Sequence, residues 1–520
     1  MKKSILSLSA AVALGSLGFA GSANAWVAST SNTAAPAPAG TAANLYLHNA
    51  GTGHQLFTPY FTANEGMATL VNIVNTDSVN GKAVKVRFRG ATNSDDLLDF
   101  TLFLSPGDVW AGAVLQGADG LATLVTEDKS CTLPTAEYWA GGVPFRTNRL
   151  PDYVGAEGQA ALTREGYVEV LNMADILPGP AATPTKLFKA TKHVNGVAPC
   201  LADVQLTGAR AEGLTNPTGG LMGSWAILDL GHMGTYSGTQ TAVIASSDTA
   251  VPPSGTLTSA PAHLQFFPQE EASAGVVTAY TADPLLSGPS PIIPPLWFDL
   301  PDMSTPSVTS AATPDLQADA LTAALAKTNV INEYIATGAG ADVPFTTDWV
   351  VSQPTRRYHV AVDYNSGFGG SDPAVLVRRT GATLPLPYGA DSLVLQNTDY
   401  GPQACLPLQF SSTDREEKSV RTSSGGGFSP GSAPTVLRYC GEVFVAQFGD
   451  TSSLQAVITN RKVTPLGAAG WASIGSTYGN LPIVGYAATL FTNGLTGYKY
   501  GMTFQHRWLS PAAAPVPATP

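Results

Sequence analysis

Four carboxylate or amide side chains, Asn93, Asp95, Asp96 and Asp99, crowd into NSDDLLDF at residues 93–100. Carboxylates and amides at that density are the hard ligands that Ca2+ takes, so Asp95, Asp96 and Asp99 are candidate metal ligands and Ca2+ the one candidate cofactor. The stretch lacks the D-x-[DN]-x-[DN]-G loop of a dedicated calcium site, and Asp and Asn build turns without metal, so turn formation is the plainer use of these residues. Immediately upstream, GKAVKVRFRG alternates Val84, Val86 and Phe88 with Lys85, Arg87 and Arg89. That period of two belongs to a half-buried strand with one apolar and one charged face. Lys85, Arg87 and Arg89 are therefore a candidate assembly seam, meeting carboxylates on the same subunit or on a neighbour.

Catalytic chemistry finds less support. The chain holds no H-E-x-x-H zinc helix, and Gly81-Lys82 lacks the upstream glycine and the following Ser or Thr of a phosphate loop. None of the seven histidines can be given a general-base partner from the sequence. His48 and His54, beside Gly51 and Gly53, would need two further donors to hold a metal and read as solvated loop residues. Arg356-Arg357 are candidate ion-pair partners for Glu416 or Glu417, or simply a strand entry. The glycine-rich run within residues 412–434 reads as a long surface hairpin between Cys405 and Cys440, since its flanks are strand-like. The chain is therefore expected not to be an enzyme.

The elements that position these residues are mostly strands. Strand patterns recur at 69–75, 82–89, 97–104, 166–173, 224–230, 241–246, 349–351, 358–364, 442–448, 454–460, 484–492 and 498–508. Asn80-Gly81 sits between the first two as a hairpin-type turn. One helix is expected over 314–336, with Thr313 as N-cap, Pro314 at its first position and Gly338 beyond its end. The fold class is mainly β: two antiparallel β-sandwich-like lobes, 44–300 and 341–508, joined by a connector at 301–340 that carries the helix. Residues 26–43 form an Ala/Pro-rich linker and 509–520 a similar tail.

Residues 1–25 have Lys2, Lys3, an apolar run and Ala23-Asn24-Ala25, the pattern of a cleaved signal peptide. No later stretch is long and apolar enough for a transmembrane helix. A net charge of −11 with only 12% charged residues excludes nucleic-acid binding by phosphate neutralisation. The 53 glycines and 39 prolines suit short strands with many turns. Four cysteines permit three connectivities; Cys131–Cys200 with Cys405–Cys440 is favoured, because each pair lies inside one lobe and an export route is oxidising.

Several segments together resemble a family of secreted proteobacterial cell-surface proteins of the surface-layer (S-layer) type. They are PYFTANEGMATLVNIVNTDSVNGKAVKVRFRGATNSDDLLDFTLFLSPGDVW (59–110), LTREGYVEVLNMADI (162–176), TDWVVSQPTRRYHV (347–360) and STDREE (412–417). The resemblance implies an exported β-rich protein at the outer surface of a Gram-negative bacterium that assembles laterally with itself into a sheet or fibre. It supplies no catalytic residues, and Ser352-Gln353 departs from its pattern. Anchoring to lipopolysaccharide or to another surface protein is expected of such a coat. The competing expectation is an adhesin or carbohydrate-binding protein with a sugar platform drawn from Trp110, Trp139, Trp297 and Trp349. A third, an outer-membrane barrel, rests on the closing YKYGMTFQHRW.

Overall fold

The computed structural model describes residues 42–134, 136–200, 213–246, 284–285, 301–311, 313–338, 340–364, 375–379, 383–389, 392–422, 437–493 and 496–509. Residues 1–25, expected as a signal peptide, nearly all of the 26–43 linker, most of the proline-rich passage before residue 301 (Trp297 included), residues 423–434 and all of the 509–520 tail but its first residue lie outside these.

The first lobe is a sandwich of two antiparallel sheets. One sheet runs β1 (Asn44–Leu47), β14 (Thr241–Ser246), β2 (Gln55–Thr62), β10 (Glu165–Ile176), β4 (Gly81–Gly90), β5 (Asp96–Leu104) and β8 (Cys131–Leu133), with β11 (Leu214–Thr215) on the end of β10. The other runs β13 (Gly234–Thr239), β12 (Leu221–Asp229), β3 (Met67–Asn75), β6 (Val109–Gln116), β7 (Ala122–Val125) and β9 (Val143–Pro144). Val84, Val86, Phe88, Leu98, Phe100 and Leu102 face Val71, Ile73, Trp110 and Leu124 across the layer, so the apolar face read from the alternation is the core.

The segment β3–β4 is not a hairpin. The strands belong to opposite sheets, and residues 76–80 carry the chain across the sandwich. Neither Asn80 nor Gly81 has the positive φ of the expected turn. The Asp77 carboxylate shapes the crossing instead, accepting from the Val79 and Asn80 amides at 2.8 and 3.0 Å.

The second lobe also pairs two sheets. One runs β26 (Asn460–Lys462), β25 (Val443–Gln447), β17 (Phe345–Ser352), β29 (Val484–Thr492) and β30 (Lys499–Gln505). The other runs β23 (Ser419–Thr422), β22 (Gln409–Asp414), β27 (Ala469–Gly475), β16 (Asn329–Ile335) and β31 (Arg507–Leu509). Tyr334, Trp349, Phe410, Phe444, Phe448 and Ile474 fill the space between them. Three small sheets complete the lobe: β15 (Ala326–Lys327) with β28 (Leu481–Pro482); β18 (Val360–Asp363) with β19 (Val375–Arg378); and β20 (Val394–Thr398), β21 (Gly401–Pro407) and β24 (Arg438–Cys440). Residues 454–459, expected as strand, are turns and bends that lead into β26. The sheets are open and none closes into a barrel among the described residues, which removes the barrel reading.

Three α-helices decorate the sheets among the described residues: α1 (Gly155–Thr163), α2 (Lys186–Thr191) and α3 (Pro314–Leu325). Helix α3 begins as expected, its Leu316 amide capped by Thr313. It ends at Leu325, eleven residues short of the expected span, and the remainder becomes β15 and β16. Alanine and leucine dominate up to that point; beyond it Thr328, Val330, Ile331 and Ile335 are β-branched, and Val330, Asn332 and Tyr334 are buried with a period of two. No helix among the described residues is long and apolar enough to cross a membrane.

Candidate functional site

The charged face of β4 is inside the protein. Lys85, Arg87 and Arg89 expose 2%, 2% and 5% of their surface, so the expected half-exposed strand and its surface seam are corrected: these cations are buried among carboxylates of their own subunit. Register does this. Arg87 lies between Asp99 on β5 and Glu169 on β10, while Arg89 lies opposite Asp96. Arg87 pairs with Asp96 and reaches Asp99 at 3.2 Å, Lys85 meets Asp99 at 3.3 Å, and Arg89 meets Glu169 at 3.2 Å. Arg149 adds a second cation to Asp96 at 2.8 Å. The connector and second lobe close over this layer: Arg87 donates to the Pro301 carbonyl and the Tyr358 hydroxyl to Glu169. Neighbouring parts of the same sheet face are apolar, covered by α3 through Ala318, Leu321 and Leu325 and by α2 through Leu187 and Phe188.

Asp96 and Asp99 thus serve buried ion pairing, and Asp95 a hydrogen bond across the lobe boundary, rather than a shared cage. Asp95 accepts from the Tyr364 hydroxyl of the second lobe at 2.8 Å, and burial pushes its pKa up to about 7. Among the described residues no group of three or more His, Cys, Asp or Glu side chains is placed to hold a metal ion.

Polar contacts of this kind recur wherever the lobes meet. Arg356 pairs with Glu442 at 3.2 Å, not with Glu416 or Glu417, which are exposed at the β22–β23 turn. It also donates to the carbonyls of Ala404 and Thr92, the latter in the first lobe. Asn93 and Val362 exchange two hydrogen bonds across the boundary, at 3.0 and 2.8 Å. Glu165 accepts from the Val457 and Thr459 amides and from Asn64; burial raises its pKa and these donors oppose the shift. Between such contacts Tyr60, Tyr167, Trp225 and Tyr236 pack against Val350, Val445, Tyr486 and Leu490 in one apolar cluster drawn from both lobes. The segments 59–110, 162–176 and 347–360, far apart in sequence, therefore converge on this boundary.

Asp348, on β17 of the second lobe, is fully buried and accepts from Ser452 and from the Leu454 amide. Burial lifts its pKa to about 7. A carboxyl raised on folding contributes most stability below its ordinary range and loses it as pH climbs through the folded value. Wild-type protein is therefore expected to lose about 2–3 kcal/mol relative to Asp348→Asn between pH 5 and pH 8, measured by urea unfolding. Parallel pH profiles would remove this assignment.

The other residues singled out from sequence are structural. Cys131–Cys200 and Cys405–Cys440 are both disulfides, each inside one lobe as expected. His48 and His54 are not solvated: they expose 8% and 2%, and His54 Nδ1 accepts from the Ala245 amide on β14. Trp110, Trp139 and Trp349 are core residues, which dismantles the expected sugar platform among the described residues. The run Gly427-Phe428-Ser429-Pro430-Gly431 has the letters of a nucleophile elbow and lies outside the described residues. Pro430 has no N–H where that motif builds its oxyanion hole, so the letters lack the chemistry.

A surface feature escaped the sequence reading. Tyr500, Met502 and Phe504 alternate along the edge strand β30 and keep 41–52% of their surface exposed. They continue across the sheet, Tyr500 stacking on Phe491 at 5.7 Å and Phe491 on Phe345 at 5.3 Å between ring centroids. The opposite face of β30 is fastened to the first lobe. Gly501 admits the Tyr236 ring, whose edge a Cβ would meet at 2.8 Å, and Thr503 donates to the Ser237 carbonyl. The stripe is thus rigidly held and outward-facing. Its signal was the aromatic alternation in YKYGMTF, which the barrel reading had absorbed.

Comparison with protein-family models, with curated proteins and with solved structures finds no match to this chain.

Proposed function

We propose that this chain is a structural subunit of an extracellular coat, exported through its leader and associating with copies of itself on the cell surface into a sheet or filament. The observation that carries the reading is the aromatic stripe of β30. A rigid, contiguous apolar surface of this kind marks an interaction site, and Tyr, Met and Phe are enriched where interfaces form. The occupant is a second copy of the chain, because a coat repeats one contact many times. Two further features suit a building block. The disulfides fit an oxidising compartment outside the cytoplasm, and the polar and apolar contacts between the lobes make one solid unit of them. Lipopolysaccharide or another surface protein would anchor the coat.

Tyr500→Ser with Phe504→Ser tests the stripe by sedimentation velocity over a concentration series. Losing two aromatic anchors is expected to weaken self-association roughly 100-fold or more, with an unchanged circular dichroism spectrum. Unaltered association of a folded double variant would place the contact elsewhere.

A further inference from the structure

A cleft of about 220 Å³ opens between the lobes where the turn after β1 and the β13–β14 junction meet β15, β29 and β31. Its described lining holds one Lys, Lys327, with no Arg, Asp or Glu. In a chain of net charge −11 that is an unusual enclosure. Lys327 exposes only 7% of its surface and forms no ion pair with a carboxylate among the described residues; its ammonium rests 4.6 Å from the centroid of the Trp508 ring. Burial alone brings its pKa down to about 8, so the cleft lacks the anion that would favour the charged form.

The rest of the lining sorts into wall and donor–acceptor groups. His506 is wall: its Nε2 donates to the Val350 carbonyl and its Nδ1 accepts from Asn332, both at 3.0 Å. His48 differs. Its Nδ1 donates to the Thr52 carbonyl, which leaves the Nε2 lone pair of the neutral ring able to accept from a hydroxyl. Gln240 is wall too, its Nε2 donating to Thr58 Oγ1 at 2.8 Å, while the exposed Gln505 adds an amide, and Val330, Ile483 and Val484 an apolar floor. One cation, an acceptor for a hydroxyl, an amide and an apolar wall are what a sugar ring bearing a carboxylate needs, and the volume is far larger than an inorganic ion requires.

We propose that this cleft binds a small sugar acid, its carboxylate on the Lys327 ammonium and one hydroxyl donating to His48 Nε2. The full-length secreted protein would be titrated by calorimetry with galacturonate, with galactose as the neutral counterpart and with inorganic phosphate as a bare anion. Galacturonate is expected to bind and galactose not to. Phosphate, lacking the ring, is expected to bind roughly tenfold or more weakly. Lys327→Met is expected to weaken galacturonate by a similar factor and Lys327→Arg to retain it, with both variants matching wild type in thermal midpoint without ligand. Equal binding of galactose and galacturonate, equal binding of phosphate and galacturonate, or full binding by a folded Lys327→Met variant would each overturn the assignment.

Discussion

Arg356→Met is expected to destabilise the folded chain by about 3–5 kcal/mol, the usual cost of leaving a buried carboxylate without its partner. Arg356 and Glu442 are both fully buried, and the guanidinium also holds the Ala404 and Thr92 carbonyls. Burial already raises the Glu442 pKa, opposed chiefly by Arg356, so removing the cation leaves a carboxylate that must take up a proton or open the lobe boundary. Arg356→Met with Glu442→Gln should recover part of the loss, since the double variant buries no unpaired charge. Urea unfolding of the two variants reads both effects. A single-variant loss below about 1 kcal/mol would mean that this buried pair contributes little to holding the fold.

Removing a disulfide comes next in size. Cys131–Cys200 spans 69 residues and Cys405–Cys440 spans 35. On the loop-entropy account each constrains the unfolded chain by about 4 kcal/mol, the longer loop slightly more. Cys131→Ser with Cys200→Ser also loosens the cluster in which α2 covers Phe103 and Ile176, so its loss should exceed that of Cys405→Ser with Cys440→Ser. Unfolding midpoints under non-reducing conditions test the ranking; equal or reversed losses would contradict it.

Much of the architecture could be read from local alternation. Leu98, Phe100, Leu102 and Leu104 on one side of β5 are completely buried, and the strand class follows from such patterns. Partnership was less legible. The Val- and Ile-rich runs flanking Asn80-Gly81 look like the arms of a hairpin, yet an Asx turn at Asp77 sends them into different sheets, and alternation does not encode which sheet a strand joins. Alternation also says nothing of what lies above a charged face. Lys85, Arg87 and Arg89 have the spacing of solvated residues, but the connector at Pro301 and the second lobe at Tyr358 cover them, and those contacts are more than 200 residues away. Helix α3 ran too long on paper because its apolar stripe continues past Leu325, where β-branched residues take the chain into a sheet. Within the candidate sites, Lys327 and Trp508 meet only through tertiary packing, so no spacing announces them. The β30 stripe was visible as alternating aromatics, but only its fastening to β13 shows which side faces outward.

Negative-stain electron microscopy of the purified protein, with and without Ca2+, tests the proposed coat-forming role most directly. Ordered sheets or fibres of the wild-type chain, absent from Tyr500→Ser with Phe504→Ser, are the predicted result. Dispersed monomers of wild-type protein at every concentration, in both conditions, would contradict it.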